Sequence, residues 1–71
     1  MAEFAERLKE LRLAAGLSQA ELAERAGLNR FGVAKLEQGV REPTWATVLE
    51  LARALEVSVA DFVPEKGRRK K

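Results

Sequence analysis

The stretch from Gln19 to Gln38 constrains this chain more than any other. Two short helical segments meet there across Gly27-Leu28-Asn29, a link of only three residues. The first opens on Ser18-Gln19-Ala20-Glu21, a capping box. Its Ser18 hydroxyl accepts from the Glu21 amide, and the Glu21 carboxylate accepts from the Ser18 amide. This helix runs from about Gln19 to Ala26 and stops at Gly27, which enters the left-handed region without strain. Asn29 is a good N-cap for the next helix, about Arg30 to Gln38, and Gly39 ends it. A turn this short, with glycine in it, joins two helices steeply, as in a helix-turn-helix. Leu22, Ala26, Leu28, Val33 and Leu36 then face the core, and Ala23 is small where the second helix must cross closely. An ordinary αα corner in a helical bundle is the alternative that the spacing leaves open.

The rest of the chain is also helical in pattern. Phe4, Leu8, Leu11 and Ala15 form one stripe ahead of a capping Gly16. Pro43 and Thr44 open a further helix, in which Trp45, Val48, Leu49, Ala52 and Leu55 form a broad apolar face, with Trp45 read as core. Ser58-Val59-Ala60-Asp61 is a second cap-like start, and Phe62 and Val63 complete a short fifth helix that Pro64 closes. Phe62 is assigned to the core. There is no alternating β-type run and no internal repeat. The pattern predicts a compact all-α bundle of five helices over residues 1–63, with residues 64–71 as a disordered basic tail.

Composition narrows the chemistry. The chain has 71 residues, no Cys and no His. It therefore lacks a thiolate nucleophile and the commonest general base and transition-metal ligand. Its acid pairs, such as Glu6 and Glu10, lie on a helix surface. An enzyme is not expected, nor are a metal, a cofactor or a small-molecule ligand. No apolar run exceeds Leu13 to Ala15, far short of the ~20 residues that span a membrane. The acidic, amphipathic start Met-Ala-Glu-Phe-Ala-Glu is not a secretory signal, so a cytoplasmic location is expected. The net charge is +2, but residues 1–63 carry eight Lys or Arg against ten Asp or Glu. The basic excess is confined to Lys66, Arg68, Arg69, Lys70 and Lys71. Net charge alone is thus a weak pointer to nucleic acid.

Specific motifs point further. Leu17-Ser-Gln-Ala-Glu-Leu-Ala-Glu-Arg-Ala-Gly27, then Val33-Ala-Lys-Leu-Glu-Gln-Gly39, Pro43, and the run Leu49 to Asp61 follow in order. Together they resemble the phage repressor and Cro-type helix-turn-helix family, the Xre-like regulators, over roughly residues 4 to 63. The resemblance implies a lambda-repressor-like five-helix DNA-binding domain with helix 3 in the major groove.

It also implies roles. Gln19 matches a residue that hydrogen-bonds a DNA phosphate, and the free amides at that helix start attract an anion. Arg30, Phe31 and Lys35 match positions that face base edges. An Arg at the N-terminal end of helix 3 can hold a guanine edge, a Phe suits a thymine methyl, and Lys35 could reach a guanine or a phosphate. Gly32 joins the base-contacting set if the helix backbone approaches DNA too closely for a Cβ; a neutral choice within a packed helix is the other reading. Asn29, Gln38, the Gly39 amide, Arg41 and Thr44 are the remaining phosphate candidates, although Val40 and Glu42 sit where relatives often carry Lys or Arg. The Trp45 indole could also reach a phosphate. Arg12 and Glu37 match a partly buried ion pair that holds the orientation of helix 3.

The expected function is sequence-specific binding of double-stranded DNA by a transcriptional repressor or regulator. The alternatives are an engineered DNA binder on the same scaffold, or a helix-turn-helix module that binds protein instead. One recognition helix reads few base pairs, so a weak homodimer formed on DNA is expected, paired through Val57, Val59, Ala60 and Val63.

Overall fold

A computed structural model describes residues 2–62. Four α-helices follow in order: α1 (Ala2–Ala14), α2 (Gln19–Ala26), α3 (Arg30–Gln38) and α4 (Trp45–Leu55). A single 3₁₀ turn, Val59–Phe62, ends the described chain. The fifth α-helix expected from the sequence is therefore only this turn. Four residues so close to Pro64 are too few to close a ladder of i to i−4 hydrogen bonds. Val63 and the basic tail lie outside the described residues.

The helix ends are set by local chemistry. At α2 the Glu21 N–H donates to Ser18 Oγ at 3.0 Å, and the Ser18 N–H donates to Glu21 Oε1 at 2.8 Å. At α3 the Phe31 N–H donates to Asn29 Oδ1 at 2.7 Å. At α4 the Thr47 N–H donates to Thr44 Oγ1 at 3.1 Å. Gly27 takes φ 70° at the corner between α2 and α3, and its successor Leu28 returns a hydrogen bond to the Ala23 carbonyl at 2.8 Å. At the end of α4 a non-glycine residue, Glu56, holds φ 60°.

The core lies between α1, α2 and α3 and continues onto α4. Leu8, Leu22, Val33 and Leu51 are its most enclosed side chains. Phe62 is buried, as expected, and stacks on Phe4 with ring centroids 5.2 Å apart, which ties the final turn to α1. Three parts of the expected core are corrected. Ala15 falls just beyond α1 and is exposed. Trp45 is 67% exposed and Leu49 is 44% exposed. Leu51, Ala54 and Leu55 set the inward side of α4, so Trp45 and Leu49, one turn apart, fall on its flank.

Candidate nucleic-acid interface

The side of α3 opposite Val33 and Leu36 carries the expected readout residues. Arg30, Phe31 and Lys35 are all exposed. Phe31 is 63% exposed. The Arg30 guanidinium carbon lies 5.2 Å from the Phe31 ring centroid. Such stacking contributes about 0.5–1 kcal/mol at an exposed site and favours this orientation of the guanidinium a few-fold. Phe31 stands between two grooves. One, toward α2, is lined by Gln19, Arg30 and Ala34 among others. The other, toward the start of α4, is lined by Asn29, Gly32, Lys35, Arg41 and Thr44 among others.

The back of α3 is held by a polar network joining three helices. Arg12 Nε and Nη2 donate to the two Glu37 carboxylate oxygens at 2.6 and 3.1 Å. Arg12 Nη1 donates to the Leu17 carbonyl at 2.9 Å. Gln19 Nε2 donates to Glu37 Oε1 at 3.0 Å. The Arg12 and Glu37 side chains are only 10% and 4% exposed. The hydrogen bond to Glu37 raises the Arg12 pKa above its ordinary value; desolvation works against it and the Glu37 charge adds to it. The ion pair matches the role that the family resemblance implies, with a planar fork well suited to two carboxylate oxygens. The Gln19 link was not legible in sequence. It joins residues on different helices, and no local spacing signals it.

The expected phosphate contacts divide. Gln38 and Arg41 are exposed at the end of α3 and in the loop beyond it. Gln19 is half-buried and has one N–H directed at Glu37, which leaves its second N–H as a donor. The Asn29 side-chain oxygen is occupied by the Phe31 amide, so only its NH₂ group remains for a ligand. Thr44 caps α4 and lies 3.0 Å, hydroxyl to hydroxyl, from Thr47. The Gly39 amide is a correction: it closes back onto the Leu36 carbonyl at 3.2 Å and serves the helix cap. Gly32 is half-buried, and the space where its Cβ would stand lies 3.3 Å from Arg41 Nη1. Of the expected dimerisation residues, Val57 and Val59 are half-buried against the core, Ala60 is exposed, and Val63 lies outside the described residues.

Among the described residues no helix is long and apolar enough to cross a membrane. No group of His, Cys, Asp or Glu among them has the arrangement to hold a metal ion.

A glycine corner between two short helices, with the second turned outward and braced from behind, defines a helix-turn-helix. The chain belongs to the helix-turn-helix domain family, whose profile matches residues 3–62. It is 42% identical over 60 residues to the SPbeta prophage-derived HTH-type transcriptional regulator YonR of Bacillus subtilis, covering 84% of this chain and 55% of YonR. Among solved structures, the restriction-modification controller protein C.AhdI of Aeromonas hydrophila superposes with a TM-score of 0.84 at 41% identity, covering 86% of this chain and 92% of C.AhdI. The N-terminal DNA binding domain of SinR from Bacillus subtilis superposes with a TM-score of 0.84 at 28% identity, covering 96% of this chain and all of that domain. The chain thus spans little more than half the length of YonR but nearly the whole of C.AhdI.

Proposed function

We propose that this chain binds double-stranded DNA sequence-specifically and regulates transcription, as a repressor acting in the cytoplasm. The observation that carries this reading is the outward face of α3. Arg30, Phe31 and Lys35 project from a helix whose other side is locked to α1 and α2 through Arg12, Glu37 and Gln19. A reading helix must enter the groove in one orientation, and a braced corner supplies that. The likeness to a prophage-derived transcriptional regulator, a restriction-modification controller and a DNA binding domain supports the same reading.

In this scheme Arg30 pairs with a guanine edge, Phe31 packs on a thymine methyl, and Lys35 reaches a guanine or a phosphate. Gln19, the Asn29 amide, Gln38, Arg41 and Thr44 hold the sugar-phosphate backbone and set the register. Two copies bind half-sites about one helical turn apart, ~34 Å, through the surface around Ala60. Regulation then acts through the concentration of the chain and its pairing. Selection of bound duplexes from a random pool tests the whole scheme. A recovered motif with two related halves is the expected result. A pool that stays random after repeated rounds at physiological salt would refute sequence-specific binding.

A further inference from the structure

Gly32 is the third residue of α3, in its first turn, where glycine is still a poorer helix former than alanine. The structure shows what its small size admits. A Cβ on Gly32 would lie 3.3 Å from Nη1 of Arg41, closer than ordinary contact, and Arg41 is the neighbour that the space holds. Arg41 comes from the loop between α3 and α4 and is exposed. No acceptor among the described residues holds its guanidinium. The guanidinium shares a groove of about 300 Å³ with Lys35, Asn29 and Thr44, beside Phe31 on the outer face of α3. Glu42 also lines that groove, yet it pairs with neither cation. Two cations without a partner among the described residues, an amide and a hydroxyl around one groove suit a phosphate oxygen.

We propose that Gly32 is a positioning residue: its missing side chain is the seat on which Arg41 rests, and the two act as one unit in gripping a DNA phosphate at the flank of α3. This rests on the DNA-binding reading above and deepens it. It also replaces the idea that DNA itself approaches the Gly32 backbone.

The test is a double-mutant cycle of Gly32→Ala, Arg41→Ala and their combination. Thermal melting and the salt dependence of binding to a mixed-sequence duplex are the readouts. Gly32→Ala should raise the melting temperature by less than the ~4–8 °C of a full 1 kcal/mol, because alanine favours the helix, position 32 lies in its first turn, and the flexible end of Arg41 gives way. The same variant should bind DNA more weakly. Its slope of log affinity against log salt should fall part of the way to that of Arg41→Ala, which itself lies about 0.9 below wild type for one lost phosphate contact. The double variant should bind like Arg41→Ala. Stability and binding thus move in opposite directions, which a merely structural glycine would not produce. Unchanged binding by Gly32→Ala would overturn the proposal, as would losses that add in the double variant or a lowered melting temperature. Wild-type protein whose affinity for duplex does not respond to salt sinks the DNA-binding reading as well, and differs from the other failures in needing no substitution.

Discussion

Replacing Arg12 by Ala strikes fold and reading surface together. It removes the two-pronged contact to Glu37 at 2.6 and 3.1 Å and the bond to the Leu17 carbonyl. The Glu37 carboxylate, 4% exposed, keeps only the Gln19 amide as a side-chain partner. Breaking a buried pair from one side costs about 3–5 kcal/mol, because the remaining charge stays desolvated and unpaired. A domain of 71 residues has a total stability of only about 4–10 kcal/mol, so the loss approaches a large share of it. The variant should melt at least ~12 °C below wild type. Glu37→Leu alone should cost a similar amount. Arg12→Met combined with Glu37→Leu strands no charge and should regain much of the loss. Urea unfolding of wild type, Arg12→Met, Glu37→Leu and the double variant measures the coupling. Single effects that add within about 0.5 kcal/mol would refute the pair as a unit. The raised Arg12 pKa means that its contribution is present below the ordinary arginine value and is lost as pH rises through the higher folded value. Stability across the neutral range should therefore show no titration of Arg12.

Arg30→Ala should cost about 1–3 kcal/mol of binding and relax preference at one base pair, whereas Gln19→Ala should weaken all duplexes about equally. Binding to a panel of single-base variants separates the two, and a uniform loss for Arg30→Ala would make Arg30 a phosphate contact. Glu56→Gly should stabilise the fold by about 1 kcal/mol, since a side chain is strained at positive φ. A lowered urea midpoint would show that the Glu56 side chain contributes more than its backbone strain costs. Ala60→Asp should leave a single half-site filled normally yet abolish cooperative binding to two half-sites, because Ala60 is exposed while Val57 and Val59 also support the core. Unchanged cooperativity in a footprinting titration would place the pairing surface elsewhere.

The corner of this protein was written in its sequence because caps are local. Ser18 with Glu21, Gly27, Asn29 and Gly39 each act within a few residues, so the ends of α2 and α3 follow from neighbours along the chain. The outward face of α3 was legible for a related reason: Val33 and Leu36 are its large apolar residues suited to burial, and Phe31 lies well away from them. The α4 helix offered no such choice. It carries apolar residues around most of its circumference, and packing decided that Leu51, Ala54 and Leu55 go inward while Trp45 and Leu49 face out. The pairing of Arg12 with Glu37 came from the family resemblance, but the Gln19 arm of that network came only from bringing two helix ends together. Gly32 shows the same division. Its sequence position marks an anomaly in a helix, and only the return of the loop brings the Arg41 guanidinium to within 3.3 Å of where a Cβ would stand.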